Sequence, residues 1–209
     1  MFEIQIRMCT DTVDPVEDQL LWEKFLSGDD KAYACIYRKY VKTLFSYGMQ
    51  FTPNRELVKD CIQDVFVKIY SHRASLREIE YVKFYLFFSL KNTLLNVFQK
   101  DRSSCRMDME EPVFCTEYHT VEDRTIADEE EAEQKEKMRR ILDALTPRQK
   151  EAIYYRYVEE MELKDICILM DMNYQSVQNL IQRAVKKLKH TFSEKEKPVW
   201  SIKRIIRAQ

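Results

Sequence analysis

Glycine is almost absent from this chain, and that constrains its fold more than any other feature. Only Gly28 and Gly48 occur in 209 residues, beside five prolines. Sheets with tight turns need residues that tolerate a positive φ, glycine above all. A chain rich in Leu, Lys, Glu, Arg and Met with so little glycine favours helices instead. The prolines mark the joints: Pro15, Pro53, Pro112, Pro147 and Pro198 all lie where helical patterning breaks.

Between those joints the apolar residues recur at helical spacing. A first helix fits 16–26, with Leu20, Leu21, Phe25 and an amphipathic Trp22. Ser27-Gly28-Asp29-Asp30 ends it and supplies the cap of the next. A second fits 31–50 through Ala32, Ile36, Tyr40, Leu44 and Tyr47, and a third fits 55–71 through Leu57, Val58, Cys61, Ile62, Val65, Phe66 and Ile69. A fourth, 81–100, is rich in Phe and Leu. These four make one bundle around one core. Residues 103–130 lose periodicity and read as a linker, in which Met107, Val113, Phe114, Tyr118 and Ile126 are apolar enough to dock. Helix resumes over 130–145. Thr146-Pro147-Arg148-Gln149 is a sharp start signal, with a Thr cap, Pro at the first helical position and Gln three residues after the cap. That helix continues to about Glu159. A short helix over 163–170, the turn Asp171-Met172-Asn173 and a longer helix to about Phe192 follow. The fold class expected is therefore all-α: two small helical domains, an N-terminal four-helix bundle and a C-terminal four-helix domain, joined by an acidic linker. The boundaries fall at 16–102, 103–130 and 131–192, with a charged tail over 193–209.

Charge supports that division. The net charge of −1 conceals a balanced front, with 15 Lys+Arg and 14 Asp+Glu over 1–102. The middle, 103–137, has 4 and 12, and the end, 138–209, has 15 and 9. An acidic segment thus separates a neutral domain from a basic one.

Several classes of function are excluded. The six cysteines include no Cys-x-x-Cys pair, and the three histidines do not cluster with them. Neither a zinc site nor a disulfide framework is expected, and a reduced cytosol is the natural compartment. Cys61 and Cys167 fall on apolar helical faces, where cysteine serves as a small hydrophobe. No apolar run approaches a membrane span, and the charged N-terminus does not resemble a signal peptide. No nucleotide-binding glycine loop, metal-ligand cluster or Ser/His/Asp set is present, so no catalysis, metal, cofactor or small-molecule substrate is expected. The carboxylates over 128–131 suit the first turn of a helix.

The last two helices have helix-turn-helix proportions. In the longer one Val177, Leu180, Ile181, Ala184 and Leu188 face the domain core. Gln175, Ser176, Gln178, Asn179, Gln182, Arg183, Lys186 and Lys187 occupy the remaining surface. From Asn173 to Phe192 there are four Lys/Arg and no acid. Gln and Asn pair with adenine edges and Arg with guanine in the major groove, while Lys and Arg farther along reach phosphates. The other reading of this face is an ordinary solvated helix surface.

The stretch Leu142-Asp143-Ala144-Leu145-Thr146-Pro147-Arg148-Gln149-Lys150-Glu151-Ala152-Ile153-Tyr154-Tyr155-Arg156-Tyr157 resembles the opening of the C-terminal domain of sigma-70-family factors. Asp165-Ile166 stands where that family usually has Glu-Ile, and Val177 where it has a buried Val. Asp60-Cys61-Ile62-Gln63-Asp64-Val65-Phe66-Val67-Lys68-Ile69-Tyr70 is similar to the family's most recognisable helix. Residues 86–102, with Asn92 and Asn96, resemble its −10-reading helix. The likeness covers most of 19–192 and leaves no room for a central third domain, as in the extracytoplasmic-function (ECF) subgroup. The run Lys91-Asn92-Thr93-Leu94-Leu95-Asn96 is like Bacteroidetes members. Three places depart from the pattern: Asp171 replaces the usual Gly of the turn, Glu162 the usual Ser/Thr cap, and the −10-reading helix ends Gln99-Lys100-Asp101-Arg102, less basic than many members.

The resemblance implies a sigma factor that binds core RNA polymerase and directs it to promoter DNA. Asp60, Gln63, Asp64 and Lys68 would dock on the polymerase. Asn92, Asn96, Gln99, Lys100 and Arg102 would engage the −10 element, with 72–80 as the loop that holds a flipped base. The aromatics Tyr81, Phe84, Tyr85, Phe87, Phe88 and Phe98 fit a core better than a stacking platform. Gln175, Ser176, Gln178, Asn179, Gln182 and Arg183 would read the −35 element, and Arg156, Lys186 and Lys187 would hold its phosphates. The acidic linker either imitates nucleic acid inside the enzyme or is a solvated tether. An anti-sigma factor is an expected partner. Two competing readings stay open at this point: a stand-alone helix-turn-helix regulator, and a polymerase-binding module with a vestigial DNA helix.

Overall fold

The computed structural model describes residues 15–76, 79, 81–105, 114 and 143–191, all helix or connection. Four helices form the N-terminal unit: α1 (Pro15–Leu26), α2 (Asp30–Gly48), α3 (Arg55–Ser71) and α4 (Val82–Cys105). A short 3-10 turn, Arg73–Ser75, follows α3.

Both glycines sit where other residues would not serve. Gly28 ends α1 at φ 105°, while the Asp29 N–H donates to the Lys24 carbonyl at 3.0 Å. A left-handed residue of this kind is the usual way to close a helix C-terminus. Asp29 then caps α2, its carboxylate accepting from the N–H groups of Lys31 and Ala32 at 2.8 and 3.4 Å. Gly48 ends α2 against α3, where an added Cβ would stand 2.5 Å from a Val58 methyl. The missing side chain sets how closely those helices approach.

The N-terminal core gathers Trp22, Phe25, Ile36, Tyr40, Leu44, Val58, Ile62, Val65, Phe66, Leu86, Leu90 and Leu94, all buried. Each such side chain contributes about 1.5–3 kcal/mol over leaving it in water. The carboxylate of buried Asp18 ties α1 to α2. It accepts the Tyr40 hydroxyl and lies 2.6 Å from the Lys39 ammonium.

The C-terminal unit holds α5 (Pro147–Ile153), α6 (Leu163–Met170) and α7 (Tyr174–Thr191). Thr146 and Gln149 form the reciprocal capping box that their spacing predicts, with Pro147 in the first turn. Asp171 adopts the left-handed conformation (φ 51°, ψ 54°) that closes α6, and the Asn173 side chain accepts the Ser176 N–H at 2.8 Å. Glu162 makes no side-chain capping bond. Ala152, Ile153, Ile166, Leu169, Met170, Val177, Ile181, Ala184 and Leu188 fill the core.

The structure departs from the sequence expectations at several ends. α2 stops at Gly48 rather than 50, and α4 runs to Cys105 rather than 100. No proline intervenes before Pro112, and serine weakens a helix without breaking it. Leu20, assigned to the apolar face of α1, is half exposed, while Trp22 is buried. The helix expected to run evenly to Glu159 widens after α5 into a π-helical segment, Tyr154–Val158, in which the Glu159 N–H reaches back five residues to Tyr154. The expected helix over 130–145 falls almost wholly, and the tail wholly, outside the described residues. Of the acidic linker beyond Cys105, the structure describes Phe114, which is buried against Phe51, Tyr154 and Tyr155. Phe114 itself therefore docks.

The two units share a boundary of aromatic and ionic contacts. Tyr47 packs on Phe87, Tyr154 and Tyr155. Lys83 and Lys91 of α4 pair across it with Glu159 and Glu151, each at 2.6 Å.

Candidate nucleic-acid interface

α7 is the element best prepared for a duplex. Val177, Ile181, Ala184 and Leu188 are buried at spacings of four, three and four residues, which pins one face to α5 and α6. At 3.6 residues per turn, Gln175, Asn179, Gln182, Arg183 and Lys186 then project from the opposite side. All are exposed except Asn179, which is partly covered. The Gln175 side-chain amide donates to the Asn179 side-chain oxygen at 3.2 Å, so these two amides form one ordered pair.

The other predicted residues of this surface sit apart from the strip. Ser176 and Gln178 flank it, half covered. Leu180, expected in the core, is also half covered. Lys187 donates to the Ala144 carbonyl at 3.3 Å, which turns its head toward the start of α5. Arg156 donates to the Met161 carbonyl at 2.9 Å, yet its side chain is exposed. Two residues on this surface escaped the sequence reading. Tyr174 opens α7 with 55% of its surface exposed, and Lys189 continues the strip. The 3.6-residue period extended from Lys186 finds Lys189; no pattern signals an exposed tyrosine.

α4 carries a second strip. Leu86, Leu90 and Leu94 are buried, and Asn92, Asn96 and Gln99 lie on the opposite, exposed side with Phe88. Lys100 is exposed beside them, and the helix backbone extends through Arg102. The other aromatics divide as expected of a core: Phe87 is buried, and Tyr81, Phe84, Tyr85 and Phe98 are partly so. Of the loop 72–80, the described part is held by the His72 and Arg73 carbonyls, which accept from Ser75 and Leu76.

A third surface lies on α3. Asp60, Gln63, Asp64 and Lys68 are all exposed there. They surround Val67, which exposes 55% of its surface, with Tyr70 beside it. An apolar centre inside a polar rim is the anatomy of a protein-docking surface. The sequence reading missed Val67 because one apolar residue on a polar face carries no periodicity. Next to this patch, a groove between α2 and α3 is lined by Tyr37, Val41, Phe45 and Ile62 with Lys42, Arg55 and Lys59. Beneath the polar face, the Cys61 thiol is pushed up to about 11 by burial, with Asp64 and Asp60 adding to the shift. It stays a neutral thiol there.

Two helical units, one of them a helix-turn-helix whose exposed strip carries amides and cations, define a protein of the DNA-binding class. Comparison with known proteins makes this specific. The description "Sigma-70 region 2" matches residues 36–104, and "Sigma-70, region 4" matches residues 135–188. The chain is 23% identical over 164 residues to the RNA polymerase sigma factor YlaC of Bacillus subtilis (strain 168), covering 76% of this chain and 91% of that protein. Its fold is shared with CnrH, solved in complex with the cytosolic domain of CnrY, at TM-score 0.55 and 16% identity over 83% of this chain and 96% of that one. It is shared likewise with the sigma factor RpoE, solved with the anti-sigma factor NepR from Bartonella quintana, at TM-score 0.54 and 15% identity over 79% and 99%. The chain belongs to the sigma-70 family, as an ECF-type sigma factor that serves promoter-directed transcription initiation.

Proposed function

We propose that the two domains divide the promoter between them, the unit over 16–102 reading −10 and the unit over 131–192 reading −35. The solvated strip on α7, opposite a fully buried face and free of acids, carries this reading. Gln175, Gln178, Asn179, Gln182 and Arg183 face base edges, with Ser176 beside them, and Lys186, Lys187, Lys189 and Arg156 hold phosphates. Asn92, Asn96, Gln99, Lys100 and Arg102 engage the −10 strand, with 72–80 receiving the flipped base. Asp60, Gln63, Asp64 and Lys68 ring Val67 as the surface offered to core polymerase. For the acidic linker both readings stay open, imitation of nucleic acid inside the enzyme and a tether, with Phe114 as the one position known to be buried.

The protein acts as a regulator rather than a catalyst, in the cytoplasm, where the polymerase works. No helix of the described residues is long and apolar enough to cross a membrane. An anti-sigma factor is the expected restraining partner, since both structural relatives named above were solved with a bound partner and one of those is an anti-sigma factor. The Bacteroidetes-like character rests on residues 91–96 alone.

Run-off transcription with purified core polymerase and genomic fragments tests the reading. Discrete transcripts that depend on the chain are expected. If the chain binds core and yet confers no specific start, it is a polymerase-binding module instead. If it binds duplex tightly alone and ignores the polymerase, it is a stand-alone regulator.

A further inference from the structure

The start of α7 holds two side-chain amides in one polarity. The Gln175 Nε2 group donates to the Asn179 Oδ1 oxygen at 3.2 Å, across one turn of helix. Residues at this four-residue spacing are neighbours on a helix surface, and Gln pairs with Asn there by a hydrogen bond. The direction of the bond follows from the helix. Gln175 lies in the first turn, where backbone N–H groups lack helical acceptors and the helix dipole is positive. That field draws the Gln175 oxygen toward the N-terminus and leaves its NH2 group to point along the helix at Asn179. The backbone beneath is held as well. The Asn173 side chain accepts the Ser176 N–H at 2.8 Å, and Val177 and Ile181 anchor the opposite face in the core. Gln175 is exposed and Asn179 partly covered.

The bond divides the hydrogen-bonding capacity of the two amides unequally. An unengaged side-chain amide offers donors on nitrogen and an acceptor on oxygen, so by flipping it suits any base edge. With its oxygen turned to Gln175, Asn179 presents its N–H donors outward. Gln175, with an N–H spent on Asn179, presents its oxygen. In the major groove guanine shows two acceptors and thymine one, cytosine shows a donor, and adenine shows a donor beside an acceptor. Donors at Asn179 match guanine fully and thymine in part, and find no acceptor on cytosine. The Gln175 oxygen matches the amino group of adenine or cytosine. Every base pair carries one keto base, guanine or thymine, so each contact reads which strand carries it. Four residues of helix rise roughly 6 Å. That is about two steps of a stack spaced at about 3.4 Å, so the two amides meet different base pairs.

We propose that Gln175 and Asn179 read the −35 duplex as one polarised unit. Gln175 is a positioning residue that fixes Asn179 as a donor, and Asn179 then selects guanine or thymine and rejects cytosine. The Gln175 oxygen selects adenine or cytosine one or two base pairs away. This coupling rests on the −35 reading of α7 proposed above and adds to it the class of base that each amide takes. Two independent amides would instead set two unrelated preferences, each able to flip to either kind of edge.

The test uses holoenzyme assembled from core polymerase and the full chain, with a promoter recovered from the run-off experiment. The −35 region of that promoter is randomised, and the bound fraction is sequenced. Wild type should prefer one strand orientation of the base pair by about tenfold at each of two positions, one or two steps apart. Asn179→Asp keeps the oxygen that Gln175 donates to but presents an acceptor outward. The first position should therefore turn over, from guanine or thymine to cytosine or adenine on the same strand, while the second holds. Gln175→Leu should erase the second preference and also lower the first by about threefold or more, because Asn179 then flips without restraint. Circular dichroism should find both variants as helical as wild type. A first position that keeps its orientation in Asn179→Asp overturns the donor assignment. An effect of Gln175→Leu confined to one position overturns the coupling and leaves the −35 reading standing. If neither variant alters any −35 preference while selection at −10 persists, the −35 reading by these residues fails, and the polarised unit with it.

Discussion

Asp171 stands in a left-handed turn where a side chain is a burden. An L-residue costs roughly 1–2 kcal/mol in that region, and Asp less because its short polar side chain tolerates it. Asp171→Gly should therefore raise stability by up to about 1 kcal/mol, seen as a thermal midpoint higher by a few degrees, without altering DNA binding. A lower midpoint would mean that the aspartate side chain contributes more than its backbone strain costs. Arg183 lies beside Gln182 and Lys186 on the exposed side of α7, and the proposed −35 reading assigns it to bases or nearby phosphates. Arg183→Ala should weaken binding to a −35 duplex by about tenfold. Filter-binding or anisotropy titrations at two salt concentrations would check this, and an unchanged affinity with an unchanged salt slope removes Arg183 from the DNA face.

At the level of elements, α5 shows how a few local groups start a helix. Thr146 and Gln149 satisfy each other's exposed backbone N–H groups, at 3.4 and 3.1 Å. Thr146→Ala should destabilise the C-terminal domain by about 0.5–2 kcal/mol in thermal or urea unfolding, since the part-buried Gln149 N–H would lose its side-chain acceptor. α3 presents the opposite case, an element whose buried face is set by packing and whose exposed face is open to a partner. Asp64→Lys should weaken binding to core polymerase by tenfold or more while helix content stays constant. Co-purification and circular dichroism on the same preparation separate the two effects, and unchanged affinity would move the docking surface elsewhere. The periodic patterning of α2, α3 and α7 was legible in the chain because helix formation and face burial depend on neighbours within a turn. The π-helical step after α5 was not legible, since Tyr154–Val158 reads as ordinary helix until the surface opposite it is known.

Across the whole molecule, the domain boundary carries a pH dependence of defined sign. Burial, the largest cause, raises the phenols of Tyr47, Tyr154 and Tyr155 well above their ordinary value. A folded-state value above the unfolded one means stability is fully present below about pH 10, where unfolded tyrosine titrates, and is lost as pH rises beyond it. Thermal midpoints should hold steady from neutrality to about pH 9.5 and fall above about pH 10. A midpoint that rises or stays level in that alkaline range would show that these phenols are not buried in the folded chain. Scarce glycine, proline-marked joints, amphipathic periods and the Thr146 and Asn173 caps were enough to establish an all-helical chain with a C-terminal DNA-reading helix. Each of those signals is local, acting within a turn or two of the backbone. Which lysine of α4 meets which glutamate after Pro147 is another matter. Lys91 and Glu151 stand 60 residues apart in sequence, and Tyr47 and Tyr155 stand 108 apart. On the chain they read as ordinary solvated charges and core rings. Only the docking of one domain on the other removes their water and makes them partners.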